Sequence, residues 1–118
     1  MNVLLIGFNH RNTPVDVREC LFVSEKQANA LLAELVHQVH SISEAVILST
    51  CNRVELYCVT DNIGHAEQQV LRYLAEWFDI SYEILQNYHF ICQDREAINH
   101  LMHVASGLDS MILGEPQI

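Results

Sequence analysis

Ala45-Val46-Ile47-Leu48-Ser49-Thr50-Cys51-Asn52-Arg53-Val54-Glu55-Leu56-Tyr57-Cys58-Val59 decides the fold. An apolar run is followed by a polar stretch from Ser49 to Arg53, and then by imperfect apolar–polar alternation to Val59. That pattern predicts strand, tight turn, strand. A cysteine stands at the turn, flanked by the Thr50 hydroxyl, the Asn52 amide and the Arg53 guanidinium. Thiolate is the nucleophilic form of cysteine, and a nearby cation lowers its pKa. A strand end also holds a reactive group more firmly than a loose loop does. Cys51 is therefore the candidate nucleophile. Cys20, Cys58 and Cys92 lack such neighbours and are expected to be packing residues, the commoner role of a free cysteine.

Working outward toward the N-terminus, residues 3–8 form an apolar run that reads as a strand. Asn9-His10-Arg11-Asn12-Thr13-Pro14 follows as a polar loop. It places His10 and Arg11 where they could line a site at the strand's end. Residues 15–22 are expected to form a short helix after Pro14. Ser24 with Gln27 three residues on is a capping-box pattern. Behind it Ala28, Leu31, Leu32, Leu35, Val36 and Val39 share one helical face, which predicts a helix over 25–39. His37 and His40 fall at its C-terminal end, where an imidazole is ordinarily a favourable end-charge.

Toward the C-terminus, Gly64 reads as a break, and 65–78 as a helix with Ala66, Val70, Leu74, Trp77 and Phe78 inward. A short helix over 81–86 and a strand over 88–92 follow. Asp94 is expected to cap a helix over 95–108, with Ala97, Leu101, Val104 and Leu108 as its apolar stripe. His100 lies beside that stripe and His103 further round toward solvent. His100 is thus the better candidate for chemistry and His103 for a surface role.

The predicted order is β-α-β-β-α-β-α. It implies an α+β fold with an antiparallel four-stranded, ferredoxin-like sheet covered by helices on one face. The 118 residues suit one domain, and half of them are hydrophobic, enough for a real core. No G-x-G-x-x-G occurs, and Gly7, Gly64, Gly107 and Gly114 are scattered, so no dinucleotide fingerprint is present. No apolar run reaches membrane-spanning length, and the start has no basic leader. Four cysteines without C-x-x-C spacing suggest reduced thiols in a cytoplasmic protein. The net charge of −9, from 15 acidic and 6 basic side chains, repels nucleic acid on average. Gly114-Glu115-Pro116-Gln117-Ile118 stops without a polar tail, as expected of a piece of a longer chain.

Two long blocks and the opening of the chain resemble a known family. Ser49 to Tyr57 is similar to the nucleophile motif of glutamyl-tRNA reductase. Ala105-Ser106-Gly107-Leu108-Asp109-Ser110-Met111-Ile112-Leu113-Gly114-Glu115-Pro116-Gln117-Ile118 resembles a second signature of that family. Gly7-Phe8-Asn9-His10-Arg11-Asn12-Thr13-Pro14-Val15 resembles its opening. Residues 1–118 are thereby identified with the family's N-terminal catalytic domain. The NADPH-binding and dimerisation domains of such a protein would lie outside them.

The resemblance implies NADPH-dependent reduction of glutamyl-tRNA to glutamate-1-semialdehyde, the entry to tetrapyrrole (porphyrin, 5-aminolevulinate) biosynthesis. The Cys51 thiolate would attack the ester joining glutamate to tRNA, giving a thioester that hydride then reduces. Thr50, Asn52 and Arg53 match positions that hold the glutamyl moiety, and a guanidinium suits a carboxylate. Ser110, Glu115, Pro116 and Gln117 match further substrate contacts. His100 matches a histidine needed for full activity, as acid–base group or orienter. Glu55 either contacts substrate or pairs with Arg53 and orients it. The implied partners are glutamyl-tRNA, a second copy in a homodimer, and glutamate-1-semialdehyde aminomutase as recipient of the product. No metal and no membrane partner are implied.

Two other classes compete. A non-catalytic RNA-binding module would spread basic and aromatic side chains over one open sheet face. A stand-alone cysteine hydrolase would need an oriented thiol–imidazole pair, for which Cys51 and His100 are the candidates.

Overall fold

The computed structural model describes residues 1–106 and the backbone of residues 112–114. Its strands are β1 (Asn2–Asn9), β2 (Ile42–Ser49), β3 (Arg53–Thr60), β4 (Phe90–Gln93) and β5 (Ile112–Gly114). They form one sheet in the order β4-β1-β3-β2-β5, and every neighbouring pair is antiparallel. The first four strands reproduce the expected α+β, ferredoxin-like arrangement. The fifth is an addition on the β2 edge, pairing Ser49 with Ile112 and Ile47 with Gly114. Three residues are too few to carry a readable alternation, so the sequence pattern gave no sign of it.

The helices are α1 (Val15–Leu21), α2 (Glu25–Gln38), α3 (Ile63–Phe78), α4 (Tyr82–Tyr88) and α5 (Asp94–Ser106). Strand pleating divides the core in two. Leu4, Ile6 and Phe8 of β1 and Val54, Leu56 and Cys58 of β3 point to one side. There they meet Leu31, Leu32 and Leu35 of α2 and Val70, Leu71 and Leu74 of α3. Leu5 and Tyr57 point to the other side, against Ala97 and Leu101 of α5. The sheet is therefore covered on both faces, not one. The reason lies in β1, an uninterrupted apolar run that exposes a hydrophobic surface on each side and must bury both.

Helix starts differ from expectation in two places. The Ser24 capping box is present, with Gln27 N donating to Ser24 Oγ at 3.2 Å and Ser24 N to Gln27 Oε1 at 3.0 Å. In α3 the cap is Asn62, whose Oδ1 accepts from His65 N at 3.1 Å, so Gly64 sits within the first turn and breaks nothing. Asp94 does not cap α5. It opens the helix at φ 51° and its Oδ1 accepts from Val3 N at 3.0 Å, tying α5 to β1.

The cysteines also separate. Cys58 is buried, and burial pushes its thiol up to about 12. Cys92 is half-buried and pushed up to about 11, first by burial, then by its hydrogen bond to Glu96 and the charges of Glu96 and Glu55. Cys20 is exposed on α1, contrary to the packing role expected of it. Its helix is too short, and too mixed in pattern, to fix an inner face from sequence.

Candidate active site

The turn between β2 and β3 is built by its own polar groups. Thr50 N donates to Arg53 O at 2.8 Å, and Asn52 N donates to Thr50 Oγ1 at 3.2 Å. Cys51 stands exposed at the tip. The loop after β1 buttresses it. His10 N donates to Asn52 O at 3.0 Å, and Arg18 Nη1 donates to Cys51 O at 3.2 Å. Arg18 is itself steered by Nε donating to Thr13 O at 3.1 Å.

Odd-numbered residues of β3 face α5, so Arg53, Glu55 and Tyr57 share one side. Glu55 has no exposed surface. Three donors converge on it. Tyr57 OH donates to Oε1 at 2.7 Å, Arg53 Nη1 to Oε2 at 3.2 Å, and His100 Nε2 meets Oε2 at 2.7 Å. A carboxylate only accepts, so this contact places the proton on His100 Nε2. Burial, then the Glu55 hydrogen bond and charge, push the Tyr57 phenol far above its ordinary range. The pairing of Glu55 with Arg53, one of two roles open to it from the sequence, is thus present. Among the described residues Arg53 Nε and Ser49 Oγ are buried without a hydrogen-bond partner.

His100 is also held by an edge-on contact with Phe90, ring centroids 5.6 Å apart. Phe90 lies opposite Gly7 in the β1–β4 ladder, and a Cβ at Gly7 would overlap its ring. Beside this arrangement opens a cleft of about 310 Å³, with Asn9, His10, Arg11, Arg53, His100 and His103 in its wall. His103 is exposed, as expected, yet belongs to the same cleft as His100. Their three-residue spacing, which makes helix neighbours, was the available signal.

Among the described residues no group of three or more His, Cys, Asp or Glu gathers to hold a metal ion. Nor do they form the glycine-rich strand-to-helix turn that cradles a dinucleotide pyrophosphate, and the antiparallel sheet has no parallel pair to carry one. The described residues do not fit NADPH. Among the described residues no helix is long and apolar enough to cross a membrane.

The sequence model of the glutamyl-tRNAGlu reductase N-terminal domain family matches residues 6–118. The chain belongs to that family. Glutamyl-tRNA reductase of Thermosynechococcus vestitus is 47% identical over 118 residues, covering 100% of this chain and 28% of that protein. The Oceanobacillus iheyensis reductase is 44% identical over the same span, 26% of its length. A solved glutamyl-tRNA reductase from Methanopyrus kandleri aligns with a TM-score of 0.55 and 26% identity, over 92% of this chain and 23% of that one. This reductase domain spans about a quarter of the length of the curated relatives it matches.

Within the reductase domain, the sequence-predicted residues Thr50, Cys51, Asn52, Arg53 and His100 lie at one end of the sheet. Arg53 and His100 are committed to Glu55, and among the described residues neither bonds the Cys51 sulfur. Ser110, Glu115, Pro116 and Gln117 lie outside the described residues. The backbone of Ile112, between them in sequence, pairs with Ser49 at the foot of the turn. The sheet face an RNA platform would use is the one α5 covers, with Leu5 and Tyr57 buried beneath it. The thiol–imidazole pair of a hydrolase is not formed through His100 Nε2, which faces Glu55.

Proposed function

We propose that this domain takes the glutamyl group of glutamyl-tRNA onto Cys51. The thiolate attacks the ester carbonyl. A C–S bond forms, the ester C–O bond breaks, and the ribose oxygen of the departing tRNA takes up a proton. That proton is the one the Cys51 thiol gives up on forming the thiolate, and His100 is assigned to its transfer as acid–base group or orienter. Arg53 is assigned to the glutamate carboxylate, and its unpartnered buried Nε supports this, since an entering acceptor would satisfy it. Thr50 and Asn52 hold the turn and contact the glutamyl moiety. Ser110, Glu115, Pro116 and Gln117 are assigned further substrate contacts on the resemblance.

For the whole protein we propose reduction of the thioester with NADPH to glutamate-1-semialdehyde, in tetrapyrrole biosynthesis in the cytoplasm. Homodimer formation and delivery of the product to the aminomutase belong to the same proposal. The share of this domain ends at the thioester.

The observation that carries the reading is an exposed cysteine on a hydrogen-bonded strand-to-strand turn, at the sheet end where Glu55 gathers Arg53 and His100. The test is mass spectrometry of the protein mixed with glutamyl-tRNA. A glutamyl adduct on Cys51, absent in Cys51→Ser, is expected. Near-normal acyl transfer by Cys51→Ser would refute the assignment. Free glutamate alone would indicate a hydrolase, and no reaction a binding module.

A further inference from the structure

Charge is unevenly spread over this domain. Its net charge is −9, yet among the described residues no carboxylate stands in the wall of the cleft beside Arg53 and His100. Three of its 6 basic residues gather at this end: Arg11 and Arg53 in the wall, and Arg18 on the Cys51 carbonyl. They are not equivalent. Arg53 is 18% exposed and neutralised by Glu55. Arg18 is turned onto two carbonyls. Arg11 is exposed, makes no ion pair among the described residues, and stands with His10 and His103 in the same wall. A cleft with walls of one sign concentrates the field and draws in the opposite charge. The acidic remainder repels a polyanion, so only the end of one would be admitted.

We propose that Arg11, with His10 and His103, forms a phosphate subsite at the cleft mouth. It takes the last phosphodiester of the aminoacylated RNA while the ester reaches Cys51. The inference rests on the acyl-transfer reading for the identity of the ligand, and deepens it by separating two anion contacts. The buried Arg53 reads the amino-acid carboxylate, and the exposed Arg11 reads the nucleic-acid backbone, which carries affinity without sequence information. The pyrophosphate of a dinucleotide offers the same chemistry, and the experiment separates the two sources.

The full chain is titrated with a short unacylated RNA ending in a free 3′ ribose, and amide and imidazole chemical shifts are followed. Shifts at His10, Arg11 and His103 are expected. Arg11→Gln should weaken binding by about tenfold and lower the log–log salt slope by about 0.7, one phosphate contact on a single strand. Arg11→Lys should restore most of the affinity, and adenosine without phosphate should leave Arg11 unshifted. Equal RNA binding by Arg11→Gln, or an adenosine shift at Arg11 as large as that of RNA, would overturn the proposal. So would NADPH displacing the RNA from Arg11 at lower concentration. No chemistry is read in this titration, so a failed acyl transfer would leave the answer intact.

Discussion

Glu55 Oε2 lies 2.7 Å from His100 Nε2, joining the start of β3 to the middle of α5 through a carboxylate with no exposed surface. The same oxygen takes Arg53 Nη1 at 3.2 Å. One buried charge therefore fixes both the imidazole and the guanidinium of the cleft. Glutamine at this position keeps the volume but loses the charge, and its amide nitrogen repels one of the donors. Removing one partner of a buried pair leaves the other uncompensated and costs about 3–5 kcal/mol. Glu55→Gln should lose stability of that order in urea unfolding. Its single-turnover acylation of Cys51 should fall at least tenfold. Wild-type acylation in this variant would show that the Glu55 contacts do not position the cleft.

Tyr57 is the sole donor to Glu55 Oε1 among the described residues. Its phenol is held protonated by burial and by Glu55, so it donates at any working pH. Tyr57→Phe leaves a buried carboxylate oxygen unsatisfied, a loss of about 1–3 kcal/mol. Tyr82→Phe serves as control, because the Arg72 guanidinium lies over the Tyr82 ring, 4.5 Å from its centroid, and needs no hydroxyl. Denaturant midpoints of the two variants should differ accordingly. Equal midpoints would mean that water replaces the phenol.

Local patterns carried most of this fold. The Ser24 box, the α2 stripe and the strand-turn-strand around Cys51 are each set by neighbours within a few residues, and each was legible. Long-range relations were not. Nothing near Asp94 announces that its carboxylate serves Val3, and nothing near Glu55 announces that its partners are Tyr57 and a histidine 45 positions on. The His89 pair with Glu67, at 2.7 Å, was likewise invisible, since it joins the end of α4 to α3. His100 was found because helical periodicity put it beside a buried stripe, but the same periodicity could not say what it would meet there. Its expected relation to Cys51 is replaced by a contact with Glu55, a residue whose burial no local pattern reveals.

The four thiols should differ in reactivity. Cys51 and Cys20 are exposed, whereas Cys58 is buried. Thiolate reacts, thiol does not. With Cys92 pushed up to about 11 and Cys58 to about 12, only Cys20 and Cys51 should alkylate quickly at pH 8 in the folded protein. Peptide mapping after a brief iodoacetamide pulse reads this directly, and early labelling of Cys58 would contradict it.

The same burial links stability to alkaline pH. The Cys58 pKa lies above its ordinary value of 9.0, so the unfolded chain releases this proton first. Its contribution is intact below pH 9 and is lost as pH rises from there toward 12, by about 1.4 kcal/mol per pH unit. Tyr57 and Tyr73, both raised from 10.0, add to the loss above pH 10. Unfolding free energy should therefore decline between pH 9 and 11, less steeply in Cys58→Ala. A flat profile would mean the thiol ionises in the native state.

Gly7 connects strand packing to the histidine. It faces Phe90 across the β1–β4 ladder, and the Phe90 ring occupies the space a Cβ would need. That ring in turn stands edge-on to His100, 5.6 Å between centroids. Gly7→Ala must move Phe90, because the β1 backbone is fixed by strands on both sides and has no room to retreat. Overpacking of this kind destabilises by about 1–3 kcal/mol. The displaced ring should also release His100 from its set angle on Glu55. Acylation of Cys51 should thus fall in Gly7→Ala by more than the lost stability explains. Phe90→Leu, which frees the space, should restore folding in the double variant without restoring the rate. Recovery of both together would show that Phe90 only fills volume and does not set the imidazole.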